Sequence, residues 1–196
     1  IISTIITPLE KFTNKSTSEI GQMIELNPNL ISKKTSISTL ANSMFSSTNI
    51  NLTTLKNEYN LILKTVRLKE NGVPKEAMSF EQVKFHQVIN EKWDTSFLKK
   101  KFTHTTFLFV VFQYVGDELY FKGIKLWKMP EETINHDLKD FWLLLKNRLE
   151  NGIVLILYSS KISFGKSIVL SADIIIFIIS SLFHFNNNQK SMFYTT

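Results

Sequence analysis

One lysine in a predicted strand is the residue whose position most suggests chemistry. Metal-dependent nucleases hold magnesium with a pair of carboxylates and place a lysine beside the attacking water. On a strand, an acid and a lysine two residues apart share a face, because the side-chain period is two. The run Asn60-Leu61-Ile62-Leu63-Lys64-Thr65 keeps the lysine, but Ile62 stands where the acid would be. The strand therefore has the lysine of such a motif without its metal-binding companion.

The acid-x-lysine spacing occurs in this sequence only as Asp137-Leu138-Lys139. That segment follows a helical pattern, in which residues two apart do not face each other. Solvated helix charges are therefore the favoured interpretation of this motif.

Other catalytic classes lack their motifs. The sequence has no Gly-x-Ser-x-Gly turn, and its six glycines do not repeat at the short spacing of a phosphate-binding loop. Absence of cysteine removes disulfides and thiolate chemistry. The four histidines lie far apart: His86, His104, His136 and His184. Serine hydrolases, nucleotide-binding enzymes and thiolate metal sites are disfavoured.

The cationic charge is almost entirely lysine. The net charge is +6, and only Arg67 and Arg148 among the 23 cations are arginines. Such a field attracts polyanions without reading their sequence, although a basic globular protein without such a partner fits the composition equally well. We predict a cytoplasmic location, and since the first residue is Ile1 we interpret the chain as a piece of a longer protein.

Hydrophobic periodicity predicts a mixed α/β architecture with a single core. A continuous apolar strand is expected to lie centrally in a sheet, and Gly116 marks the turn of a hairpin. The three tryptophans lie within apolar patterns and are interpreted as packing residues rather than base-stacking platforms. The predicted elements are a helical pair (8–26), a helix (35–45), the strand (59–68), the hairpin (107–114 and 119–129) and a helix (131–150).

The last part of the chain differs in kind. Residues 168–185 are mostly apolar, with Asp173 inside the run. A membrane helix, buried strands and sequence foreign to the native fold all remain open, but an aspartate is costly in lipid and no membrane partner is expected. We predict a DNA-binding domain over residues 1–154 and a divergent hydrophobic tail over 155–196.

The strand resembles the Val-Glu-Leu-Lys-Thr core of the MutH and GATC-cleaving type II restriction endonuclease family. The stretches 74–80, 107–111 and 121–132, followed by a helix containing Trp142, are similar to the second, C-terminal repeat of the two-repeat enzymes. This resemblance runs from about residue 9 to 154. It implies a restriction-endonuclease-like fold of the MutH type, with a central mixed sheet flanked by helices.

Active members of that family use an acid on an early helix, an aspartate before the strand and the Glu-x-Lys on it. Carried over, these positions fall on Ala41, Leu55 and Ile62, and only Lys64 is retained. The resemblance therefore implies degenerate catalytic positions, no metal ligands and no cofactor for this chain. Mg²⁺ would belong to a catalytic N-terminal repeat of the same enzyme, and this chain would be an allosteric domain engaging an extra GATC duplex.

Double-stranded DNA is thus the predicted partner. Besides Lys64, the predicted phosphate contacts are Lys33, Lys34, Lys99, Lys100 and Lys101, and the residues expected near bases are His104, Thr105 and Thr106. Two alternatives stay open: an active magnesium-dependent endonuclease that draws carboxylates from Glu58 or Glu76, and a remnant or interaction module without nuclease function.

Overall fold

A computed structural model describes residues 5–27, 36–76 and 84–151. The chain divides into two compact units. Of the described residues, the first contains 5–27, 36–76 and 106–127, and we call it the sheet unit. The second contains 84–105 and 128–151, and we call it the helical unit. The tail predicted over 155–196, the membrane-helix candidate within it and the Lys33-Lys34 pair lie outside the described residues.

The sheet unit begins with the predicted helical pair. A 3-10 turn (Thr7–Phe12) precedes helix α1 (Thr17–Met23), and Ser16 is its N-cap. The Ser16 hydroxyl accepts the backbone N–H of Glu19 at 3.2 Å, while the Glu19 carboxylate accepts the N–H of Ser16 at 2.8 Å. This reciprocal arrangement satisfies two donors that a helix start otherwise leaves open.

Helix α2 (Ser36–Ser46) confirms the second predicted helix, and helix α3 (Leu52–Tyr59) follows it in a stretch for which no helix was predicted. Asn51 starts α3 because its side-chain oxygen accepts the N–H groups of Thr53 and Thr54 at 2.9 and 3.2 Å. Asn60 ends it in the left-handed region, with φ of 50°. Polar composition concealed this helix, whose Leu52 and Leu55 pack against the core.

The described residues form a three-stranded sheet in the order β1 (Leu61–Leu68), β2 (Thr106–Val115) and β3 (Glu118–Trp127). β1 and β2 are parallel, while β2 and β3 form the predicted hairpin, turning at Gly116 with φ of 61°. Among the described strands β2 is the central one, whereas the sequence pattern placed β1 there. An apolar run indicates that both faces of a strand are buried, and Leu61 and Val66, which point to opposite faces of β1, are both buried. The run does not indicate how many strands pair with β1 through its backbone.

Helices α1 and α2 bury one face of the sheet. Leu108, Val110 and Phe112 of β2 project from that face into a cluster with the buried side chains of the helical segments. Those helical side chains are Ile5, Leu9, Phe12, Ile20, Leu40, Ala41, Met44 and Phe45.

A parallel pair such as β1 and β2 needs a crossover connection, and that connection passes through the helical unit. It contains α4 (Phe85–Asn90), a 3-10 turn (Trp93–Thr95) and α5 (Phe97–His104), none of which was predicted as an element. After β3 the predicted C-terminal helix is confirmed in three consecutive parts: α6 (Glu131–Thr133), a π-helical turn (Ile134–Leu138) and α7 (Lys139–Glu150).

Two tryptophans form the centre of the helical unit. The rings of Trp93 and Trp142 lie 5.7 Å apart and both residues are buried, which confirms the interpretation of these two as packing residues. Trp142 Nε1–H donates to Glu91 Oε1 at 3.0 Å, and the N–H of Phe97 donates to Glu91 Oε2 at 3.0 Å. Glu91 thereby joins α7 to the start of α5.

Trp142→Phe tests this connection. The variant keeps an aromatic ring but removes the donor to Glu91, and we expect the free energy of unfolding to fall by about 1–2 kcal/mol. Urea unfolding monitored by circular dichroism would measure the change. In a Glu91→Ala background the same substitution should cost clearly less, because the acceptor is already gone. An equal cost in both backgrounds would show that ring size, not the hydrogen bond, matters at Trp142.

Candidate nucleic-acid interface

The two faces of β1, the strand that contains Lys64, have different surroundings. Ile62 and Lys64 share one face of β1 because side chains alternate along a strand, and both are partly exposed. Leu61 and Leu63 point to the opposite face and pack in the cluster under the helices. The lysine therefore lies on the sheet face turned away from α1 and α2.

The positions carried over from active nucleases lie on three different elements. Ala41 is fully buried in α2, and Leu55 of α3 packs against the same core cluster, whereas Ile62 lies on the other sheet face. None of these side chains has an oxygen that could bind a hard cation. Across the described ranges, no group of three or more His, Cys, Asp or Glu side chains is placed to hold a metal ion. The residues at these positions do not fit a magnesium site.

Glu58 and Glu76, the two carboxylates considered as alternative metal ligands, lie in different environments. Both oxygens of Glu76 accept hydrogen bonds from Arg67, at 2.6 Å from Nε and 2.6 Å from Nη2. These bonds raise the pKa of the Arg67 guanidinium and hold Glu76 in a planar, bidentate pair. Glu58 is exposed on α3. Because both of its oxygens already accept hydrogen bonds from Arg67, Glu76 is disfavoured as a metal ligand.

Across the sheet, Lys64 has a counterpart that sequence reasoning missed. In the strand register Lys64 lies opposite Phe109 of β2, and Phe109 lies opposite Lys125 of β3. The three side chains therefore share one face, with a lysine on each outer strand. Partial burial lowers the pKa of Lys125. The only signal in the sequence was the alternation of Gly123, Lys125 and Trp127, which becomes informative once the pairing with β2 is known.

The lysine triplet lies on α5 of the helical unit, and its members differ. Lys99 forms an ion pair with Asp94 at 2.8 Å, which lowers the pKa of that carboxyl, and its Nζ is 5.9 Å from the ring centre of Trp93. Lys100 is exposed, and Lys101 is partly buried. His104 Nδ1 lies 2.8 Å from the carbonyl oxygen of Lys100, so these two residues share one exposed side of the helix.

The two threonines predicted near bases are placed differently. Thr105 is buried at 7% exposure, so it offers no accessible surface to a base. Thr106 is the first residue of β2, and its N–H donates to Asn60 O at 3.2 Å. It lies opposite Leu61 in the register and thus on the face away from Lys64. The structure does not bring Thr106 and Lys64 to one surface.

One protein family matches the central part of this chain. The model of the family described as DNA mismatch repair enzyme MutH matches residues 42–139, half of the chain. The chain belongs to the MutH family. The family match includes Leu55, Ile62, Lys64 and the α5 lysines, and it begins one residue after Ala41. The mixed sheet with packed helices is accordingly the restriction-endonuclease-like fold, as predicted.

A characterised relative of this MutH-family chain is the type II restriction enzyme Sau3AI of Staphylococcus aureus. The two are 36% identical over 102 residues, which cover 48% of this chain and 21% of the relative. The chain therefore spans about a fifth of the length of the relative it matches. In the ranges that the structure describes, every helix is too short or too polar to cross a membrane.

Proposed function

We propose that this chain is a DNA-binding module of the MutH family without its own cleavage chemistry. The observation that carries the proposal is that the lysine of the nuclease motif is present on β1 while the acidic positions around it are apolar. Lys64 remains on the sheet face, whereas the three carried-over acid positions hold Ala41, Leu55 and Ile62, two of which pack in the core. A nuclease fold that keeps its cation but has apolar side chains in place of the carboxylates is suited to bind a phosphodiester rather than to hydrolyse it.

Each unit has its own proposed phosphate contacts, all of them lysines. Lys64 contacts a backbone phosphate from the sheet unit, and Lys100 and Lys101 supply contacts from α5, with His104 beside Lys100. Lys99 contributes less, because Asp94 already neutralises part of its charge. Lys33 and Lys34 stay predicted contacts. These lysine contacts position a duplex without reading its sequence.

We further propose that the bound duplex contains GATC and that the module acts as an allosteric domain of a type II restriction endonuclease. The similarity to Sau3AI supports this, since that relative is a restriction enzyme and the match leaves most of its length for other functions. Cleavage would then reside in a catalytic N-terminal repeat of the same enzyme, and that repeat would bind Mg²⁺.

Fluorescence anisotropy with labelled duplexes tests the proposal. The chain should bind a GATC duplex more tightly than a scrambled duplex, equally in EDTA and in magnesium, and should leave both duplexes uncut. Lys64→Met should weaken binding of both duplexes and reduce the steepness of the salt dependence by about 0.9, the contribution of one phosphate contact. Magnesium-dependent cleavage would overturn the non-catalytic assignment, and equal affinity for the two duplexes would overturn GATC recognition.

A further inference from the structure

The outer side of α7 exposes two adjacent leucines. Leu143 and Leu144 are 46% and 50% exposed, whereas Trp142 is 3% exposed. The inner side of the helix is fixed by Trp142 and by Lys146, whose Nζ donates to two backbone carbonyl oxygens at the end of α4 at 2.7 and 2.8 Å. Single exposed leucines are ordinary on a protein surface, but neighbouring ones on one side of a helix form an apolar patch of the kind found at interaction sites.

Opposite charges flank this patch. Asp140 lies one helical turn before Leu144 and Arg148 lies one turn after it, so all three residues share one side of α7. Both charged residues are exposed, and among the residues that the structure describes neither side chain has an ion-pair partner. The two charges are separated by about 12 Å along the helix axis, too far to pair with each other. We call Asp140, Leu143, Leu144 and Arg148 the α7 stripe.

The charges of the α7 stripe are symmetric about Leu144. Asp140 precedes Leu144 by four residues and Arg148 follows it by four. If a second α7 runs antiparallel across a two-fold axis at Leu144, that leucine meets its own copy, and Asp140 meets the partner's Arg148 on each side. A parallel second helix would instead place like charges beside each other, which is unfavourable. The stripe is therefore complementary to itself in the antiparallel orientation.

We propose that the α7 stripe is a docking surface for a second copy of this chain, in an antiparallel two-fold dimer. Reciprocal placement of Asp140 and Arg148 is what favours a second copy, because an unrelated partner requires no such symmetry. One helix from each copy buries less than the about 1,200 Å² of a stable complex, so the dimer is weak and forms at upper micromolar concentrations. The inference does not depend on the proposed DNA-binding function.

Sedimentation equilibrium of the whole chain without DNA tests the dimer, over a concentration series that reaches the upper micromolar range. The wild-type mass should rise toward that of a dimer. Asp140→Arg and Arg148→Asp each replace both ion pairs by like charges, and each should weaken association by about tenfold or more. The double variant restores the pairs in reversed order and should associate like the wild type. An equimolar mixture of the two single variants should form a heterodimer, because one stripe then has only arginines and the other only aspartates.

Asp117→Arg is the matched control, since it makes the same charge change at an exposed residue of the β2–β3 turn. It should associate like the wild type, and circular dichroism melts establish that each variant is folded. The proposal is overturned if the wild type stays monomeric, if both single variants associate like the wild type, or if neither the double variant nor the mixture recovers association. It is also overturned if Asp140→Arg melts well below Asp117→Arg, since the stripe would then be covered within its own chain.

Failure of the dimer leaves the proposed DNA binding intact, because the α7 stripe contains none of the lysines proposed to contact phosphate. Conversely, a folded wild type that binds no duplex but dimerises through α7 would overturn the proposed function and leave this inference standing.

Discussion

Replacing Phe109 by alanine is expected to lower the free energy of unfolding by about 3–5 kcal/mol. The side chain is 1% exposed, and its ring lies 6.0 Å from those of both Phe107 and Trp127. Truncation removes these aromatic contacts and leaves a cavity in the central strand, where the neighbours cannot collapse freely. A loss of that size is a large part of the stability of an ordinary domain.

Urea unfolding of purified protein, monitored by circular dichroism, would measure this loss. Val115→Ala is the matched control, because Val115 lies on the same strand but is 55% exposed, and its truncation should change stability by less than about 0.5 kcal/mol. Phe109→Leu should be intermediate and should keep the two lysines in register. Similar stabilities of Phe109→Ala and Val115→Ala would contradict the assigned packing of β2.

Raising the salt concentration from about 50 to 200 mM should lower duplex affinity roughly fortyfold. The proposed phosphate contacts that the structure describes are three lysines: Lys64, Lys100 and Lys101. Neutralising about three phosphates of a B-form duplex corresponds to a logarithmic slope near −2.7. No metal ion enters this estimate, so the slope should be the same in EDTA and in low magnesium after correction for ionic strength.

Anisotropy titrations at several sodium chloride concentrations would give this slope. A scrambled duplex is the control for sequence recognition, and it should show a similar slope with lower affinity, because phosphate contacts are common to all sequences. A slope shallower than −1 would mean that the lysines of both units are solvated charges rather than DNA contacts. Such a result would leave the fold assignment intact and would overturn the interface.

Sequence patterns predicted those elements whose apolar residues repeat strongly. The strand at 59–68, the hairpin around Gly116 and the helix at 131–150 were all confirmed, with ends shifted by a few residues. Helix α3 was missed because its threonines and asparagines have low helix propensity, and its cap at Asn51 and the packing of Leu55 compensate for that. Helices α4 and α5 are short, and tertiary contacts such as that of Trp142 with Glu91 support them.

Of the candidate site, the sequence predicted the residue with a local motif and missed the one whose position depends on strand pairing. Lys64 was identified because a short local motif surrounds it. Lys125 was missed because the faces of β3 depend on the extra residue at Lys122, and a one-residue shift exchanges the two faces of a strand. Thr105 was predicted to lie near bases, but its burial, which depends on distant parts of the chain, excludes it from the accessible surface.

By itself the sequence determined the family, the mixed α/β class and the absence of acids at the carried-over positions, because each depends on residue types or on local periodicity. Only the tertiary structure decided that β2 lies between the other two described strands, that Arg67 holds Glu76, and that Lys64 and Lys125 share a face with Phe109. These features depend on which strands pair and in what register. Pairing and register arise from contacts between residues far apart in the chain, which no local pattern specifies.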